Sequence, residues 1–283
     1  YLLSKLQVEH IEQLIKSKKG IWKDLVWQSE KQLLNKQKNW NRSQQFIFGR
    51  ETAFHPPKFS NKLRASLKNI VKARENGKLV IFAGAGVSFD SNVPGWARLI
   101  DELKGDLDNR ENDYLEIGQL YFDSRGKKEY IDKIQEVLKH GKTRFNPIHE
   151  KIIELKPLHI VTTNYDTHFE QVLDEKSYRY SIIKKDVDLP YSKGASLFIK
   201  MHGDFDEKNI VLKKDDYGEG YSTTFPLIEG FVKGVFASKL VVFIGFSFTD
   251  PNLIKILESV QNILKEDNQP PYLLMIPEQN MDE

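Results

Sequence analysis

The chain has 283 residues, 40% of them hydrophobic and 29% charged, with no cysteine. That suits one large folded domain with an appendage and excludes disulfides and any zinc site built on thiolates. Net charge is +2 but uneven, since residues 1–78 carry 17 Lys+Arg against 6 Asp+Glu. The surplus points either to a nucleic-acid surface or to a helical extension lying against its own acidic body. The lysines are dispersed instead of blocked, which favours the second.

Residues 4–45 are polar, with apolar residues at helical spacing (Leu6, Ile11, Leu14, Ile15, then Trp22, Leu25, Val26). "FGRETAFHPPKFSN" at 48–61 is a proline-punctuated linker. The chain opens on Tyr1 and ends in "PEQNMDE", and is expected to be a piece of a longer protein. A division follows into 1–59, a basic helical extension, and 60–283, the catalytic body. Ser60 or Asn61 is expected to cap a helix reaching Glu75, with Leu63, Leu67, Ile70 and Val71 on one face.

From Gly77 onward the pattern becomes strand, loop, helix, repeated. Strands are expected at Leu79–Ala83, His159–Thr162, Leu197–Met201, Leu240–Ile244 and Tyr272–Ile276. Helices are expected at Ala97–Leu103, Tyr130–Lys139, Pro147–Leu155, Thr167–Asp174, Leu227–Ala237 and Leu253–Lys265. The strands are almost wholly apolar, as in a parallel sheet covered on both faces. The longest apolar stretches, Leu79–Ala83 and Leu240–Phe248, fall short of the ~18 residues that span a bilayer.

In open α/β sheets ligands bind beyond the carboxyl ends of the strands. Four of the five expected strands end in small or polar groups: "GAGVS" (84–88), "TNYD" (163–166), "HGD" (202–204) and "GFSFTD" (245–250). Gly84, Ala85 and Gly86 would let backbone N–H groups approach a phosphate; alternatively they make a tight turn. The dinucleotide fingerprint G-x-G-x-x-G is broken, because Phe89 stands at its sixth position. Gly245 and Ser247 could hold ribose or phosphate oxygens, or could simply lead into a helix begun by Asp250 and Pro251. His202 is a proton-exchanging group at a buried strand end, or a core histidine. The other histidines, His149 and His168 among them, are read as structural, at the surface or behind the site. Asn164 suits orienting a water or a ribose hydroxyl without titrating. Asp166 would accept a ligand hydrogen bond, or cap the next helix.

Taken in order, "GAG-S", "TTNYD", "HGD" and "GFSF" resemble the sirtuin-type NAD-binding fold, a Rossmann-like parallel sheet with helices on both faces. The closest likeness is to the sirtuin-like NAD hydrolase domains of bacterial defence-associated sirtuins, which act against phage. "NPIHEKIIELKPLHIVTTNYDTHFE", "VVFIGFSFTDPN" and "VPGWARLI" extend that likeness over about residues 60–276. The resemblance implies that Gly84, Ala85, Gly86 and Ser88 hold the NAD pyrophosphate and nearby ribose. It also implies that Asn164 orients the ribose or the attacking water, and that Asp166 approaches the nicotinamide amide. His202 would be the base near the ribose hydroxyls, and Gly245 and Ser247 would contact the adenosine side. Deacylating sirtuins carry a four-cysteine zinc module and an acidic "PDF" element. This chain has neither, with Pro94, Gly95 and Trp96 at the second position.

The expected activity is therefore NAD+ glycohydrolysis in anti-phage abortive infection, with NAD+ as substrate and no metal. The alternatives are a non-catalytic NAD or ADP-ribose sensor and a protein deacylase or ADP-ribosyltransferase. A cytoplasmic homo-oligomer is expected, with a phage-protein trigger acting through missing domains and with neither nucleic acid nor membrane as partner. Residues 1–59, with Trp22 and Trp27 near one helical face, are expected to pack on a neighbouring subunit or domain.

Overall fold

The computed structural model describes residues 61–107, 111–269 and 271–274. The extension and linker at 1–59 lie outside the described residues. Six strands form one parallel sheet: β1 (Leu79–Ala83), β2 (His159–Thr162), β3 (Ser181–Ile183), β4 (Leu197–Lys200), β5 (Leu240–Ile244) and β6 (Tyr272–Leu274). Their order is β3-β4-β2-β1-β5-β6. From β1 the chain turns to β2 on one side, and from β5 it turns to β6 on the other. The crevice between β1 and β5 is thus the topological switch point, where such sheets bind ligands.

The helices are α1 (Asn61–Glu75), α2 (Trp96–Leu107), α3 (Tyr114–Val137), α4 (Pro147–Glu154), α5 (His168–Glu175), α6 (Glu219–Thr224), α7 (Pro226–Ser238) and α8 (Pro251–Leu264). Period-2 alternation divides the core. Val80 and Phe82 of β1 join Val161, Ile199 and Phe243 against Val232 and Phe236 of α7 and Leu253 and Ile256 of α8. Leu79, Ile81 and Ala83 point the other way, against Ala73 of α1, Ile152 and Ile153 of α4 and Phe169 of α5. Full burial of a side chain such as Phe82 contributes about 1.5–3 kcal/mol. A third cluster joins Leu99, Leu103, Ile117 and Ile134 of the α2–α3 pair to Tyr165, Phe205, Ile210 and Leu212. Those last four residues lie in the loops after β2 and β4, so α2 and α3 pack over the carboxyl edge of the sheet.

The five expected strands are present, with β4 ending at Lys200 instead of Met201 and β6 described only to Leu274. The edge strand β3 has only three residues, too few to show periodicity. The structure also moves the buried face of α1. Ser66 and Ala73 are buried and Ile70 packs against the core, whereas Leu67 and Val71 are 39% and 48% exposed. The inward stripe runs through positions 66, 70 and 73. Helix α3 starts 16 residues before the expected Tyr130. Asp113 caps it, its carboxylate accepting the N–H groups of Leu115 and Glu116. Gly126, at φ 76°, breaks the helix midway, and this interruption hid the first half from a periodicity reading.

Candidate active site

The glycine loop after β1 opens with Gly84 and runs into a short 3-10 helix, Ala85–Ser91. It is locked to the loop after β5. Gly84 N–H donates to the Ile244 carbonyl at 2.9 Å, and Gly86 N–H donates to the Gly245 carbonyl at 2.9 Å. A Cβ on Gly84 would lie 2.4 Å from the Gly245 oxygen, and one on Gly245, whose φ is +64°, would lie 2.6 Å from the Val87 nitrogen. These glycines are therefore required by backbone meeting backbone at the switch point, as well as by any ligand. Ser247, in the same loop, pairs its hydroxyl with that of Thr249 at 2.9 Å and remains partly exposed.

Thr162, the last residue of β2, donates its hydroxyl to the Ala83 carbonyl at 2.8 Å and accepts the Asn164 N–H at 3.1 Å. This turns the Asn164 side chain toward β1, where Nδ2 donates to the Gly84 carbonyl and to Ser88 Oγ, each at 3.2 Å. With both amide hydrogens committed to the protein, Asn164 has Oδ1, an acceptor, left to offer a ligand.

Ser88 lies inside a buried network, 2% exposed. Its hydroxyl donates to Asp166 Oδ2 at 2.7 Å and faces His149 Nε2 at 3.2 Å. His149 Nδ1 accepts the Asn146 N–H at 3.2 Å, so the hydrogen of the neutral ring sits on Nε2 and is donated to Ser88. Asp166 Oδ1 accepts the His168 N–H at 3.2 Å and lies 3.4 Å from His168 Nδ1. Burial, partly offset by the Asp166 charge, pushes His149 down to about 4, and His168 is lowered for the same reasons. Both rings are therefore neutral near pH 7.

The structure changes the reading of several residues. His149 and His168 are fully buried, not at the surface. Thr167 holds the N-cap position of α5 without a side-chain bond, and it is Asp166 whose Oδ1 accepts the N–H of His168, the first residue of the helix. The Ser88 hydroxyl is taken up by protein groups. His149, 17 residues before Asp166, offers with Asp166 and His168 atoms within 4.8 Å of one another, a set with metal-ligand chemistry. In the observed bonding, however, the His149 Nε2 lone pair is replaced by a hydrogen.

Across the sheet, Lys200 is paired in register with Thr162, and His202 follows two residues later. His202 Nε2 lies 2.9 Å from Asp250 Oδ2. Between the two loops sits a group that sequence reasoning missed. The Lys200 side chain, fully buried, donates to the carbonyls of Tyr165 (3.3 Å) and Asp166 (2.9 Å). It also pairs with Glu170 (3.0 Å) and Asp204 (2.6 Å). Burial opposes ionisation of Asp204, but Lys200 and Lys184 outweigh it and hold the carboxyl down at about 2. For Glu170 burial wins over Lys200, and its pKa is raised. The signal available in the sequence was a lone lysine inside "LFIKMHGD", a strand otherwise wholly apolar.

Comparison with known proteins agrees with this architecture. Residues 158–283 match the family described as the SIR2-like domain. Over 225 residues (76% of the chain) the sequence is 32% identical to defence-associated sirtuin 2 of Bacillus subtilis, covering 22% of that protein. It is 30% identical over 219 residues to the NAD(+) hydrolase ThsA of Enterococcus faecium and 33% identical over 224 residues to that of Bacillus cereus. It covers 45% and 46% of those two proteins, so the chain spans less than half the length of the curated relatives it matches. The chain thus joins a parallel sheet whose glycine, Asn164 and His202 loops end at one edge to a SIR2-like match over residues 158–283 and a similarity to defence-associated sirtuin 2 and ThsA.

Proposed function

We propose that this chain is an NAD+ glycohydrolase that cleaves the nicotinamide–ribose bond in anti-phage defence. The observation that carries the reading is the convergence at one sheet edge of Asn164, tied to Gly84 and Ser88, with His202, backed by Asp250. In the proposed reaction the C1′–N bond breaks and its electron pair stays with nicotinamide, which leaves neutral. The ribose passes through an oxocarbenium-like state. Asn164 Oδ1 accepts a hydrogen bond from the incoming water or a ribose hydroxyl, fixing its direction. His202 takes the proton lost as the new C–O bond forms, or polarises the ribose hydroxyls. A positioned acid–base group of this kind contributes about 10²–10⁴-fold. In the glycine loop Gly84, Ala85 and Gly86 let the pyrophosphate approach the backbone, with the Ala85 amide as donor because those of Gly84 and Gly86 are given to Ile244 and Gly245. Asp166 lies toward the nicotinamide amide, and Gly245 and Ser247 border the adenosine side. No metal takes part in the proposed reaction.

Incubating purified protein with NAD+ and chelator should release nicotinamide and ADP-ribose in equal amounts. Absence of release defeats the reading, and release only after zinc is added defeats its metal-free form. Turnover that requires an acyl-peptide would instead make the protein a deacylase. Among the described residues no helix is long and apolar enough to cross a membrane. A cytoplasmic homo-oligomer, triggered by a phage protein through segments beyond this one, belongs to the same proposal. Deleting residues 1–59 should change the assembly state in light scattering, and an unchanged state would remove the arm from that role.

A further inference from the structure

Asp250 has two carboxylate oxygens with two different tasks. Oδ1 accepts the Leu253 N–H at 2.7 Å and caps α8. Oδ2 faces His202 Nε2 at 2.9 Å. Both residues are nearly buried, with side chains 12% and 6% exposed. Burial opposes ionisation of Asp250, but His202 and the backbone N–H groups of Leu253 and Asn252 outweigh it and lower its pKa. The carboxylate is therefore ionised near neutral pH, and an ionised carboxylate only accepts hydrogen bonds. The aromatic rings of Tyr217 and Tyr221 also face the imidazole, with ring centroids 6.1 and 6.4 Å away.

We infer that Asp250 is the positioning residue of the reaction, holding His202 in the tautomer that carries its hydrogen on Nε2 and leaves Nδ1 as the basic nitrogen. The inference rests on the assignment of His202 as catalytic base. A neutral imidazole has one N–H, and which nitrogen carries it is set by what faces the ring. An acceptor-only partner at Nε2 puts the hydrogen there. The contact is short, yet Nε2 completes no hydrogen bond in this structure, and catalytic contacts of this kind commonly align only in the substrate complex. The cap and the dyad share one side chain, so the position of α8 and the direction of the His202 ring are fixed together.

This sharing makes Asp250→Asn an informative variant. Asparagine caps a helix about as well as aspartate, and to do so its Oδ1 must stay on Leu253. Its NH2 then occupies the place of Oδ2 and donates toward Nε2, moving the ring hydrogen to Nδ1. In the Ser-His-Asp triad the equivalent change leaves geometry intact and lowers kcat by about 10⁴ through the wrong tautomer.

The test is made on the whole chain with 15N-labelled histidine, together with NAD+ kinetics. Wild type should show His202 as the Nε2–H tautomer. Asp250→Asn should show Nδ1–H, melt within about 2 °C of wild type, and lose about 10²–10⁴-fold in kcat with KM within about threefold. Asp250→Ser, which also caps but leaves Nε2 without its carboxylate, should show mixed tautomers and an intermediate kcat. A wild-type Nδ1–H signal overturns the inference, as does an Asp250→Asn protein that keeps Nε2–H or more than a third of kcat. The tautomer needs no turnover, so a wild type unable to cleave NAD+ would end the functional proposal and leave the Asp250 question to the spectra.

Discussion

Asn164 Nδ2 lies 3.2 Å from the Gly84 carbonyl oxygen, so the amide at the end of β2 is anchored to the loop at the end of β1. Asn164→Ala removes two hydrogen bonds, a cost of about 1–3 kcal/mol, and should leave the circular dichroism spectrum unchanged. It should remove nearly all NAD+ cleavage, as should His202→Ala. Either variant keeping more than about a tenth of wild-type turnover, well above what loss of a positioned group allows, would refute its catalytic role.

Gly245→Ala should be far more damaging than an ordinary loop substitution. The new Cβ would meet the Val87 nitrogen at 2.6 Å, at a residue whose φ is +64°. Strain of this kind costs about 1–3 kcal/mol, so the denaturant midpoint should fall together with activity. Gly194→Ala, with nothing within 4 Å of its Cβ, is the control. Equal stability of the two variants would show that the glycine loops do not interlock.

Lys200→Met should destabilise by about 3–5 kcal/mol, because it leaves Glu170 buried without its cation and Asp204 with Lys184 alone. Adding Asp204→Asn should recover part of that loss. Urea denaturation of the two variants checks the pair, and strict additivity would deny the coupling.

How much of this was legible beforehand varies with length scale. The five strands other than β3 and the four strand-end loops stood out because a buried parallel strand reads as an unbroken apolar run and its end as an abrupt polar break. Strand β3 gave no such contrast, and Gly126 masked the first half of α3. The pairings inside the site were out of reach for a different reason. Nothing local tells Ser88 that His149 and Asp166 will share its hydroxyl, or tells Lys200 that Glu170 awaits it. Asp250 could be read as a helix start, since capping is local, but its second oxygen acts across the sheet.

Stability should fall as the solution is acidified from pH 7 toward 4. His149 and His159, each held down at about 4 chiefly by burial, sit below the unfolded value of about 6.5. Below that value the unfolded chain binds protons that the folded rings refuse, so their contribution is complete above about pH 6.5 and lost as pH drops toward 4. His149→Gln should flatten part of the slope in urea midpoints. A wild-type profile level between pH 7 and 5 would contradict this account.

The interlocked glycines also bear on when the protein acquires its chemistry. The loop at Gly84 is also locked to Gly245, roughly 160 residues further along the chain, and contacts so distant form late in folding. On a ribosome, a nascent chain that has not yet released β5 lacks the strand against which β1 and its loop must settle. The order of synthesis thus delays assembly of the candidate site until most of this segment has emerged, before any later control need operate.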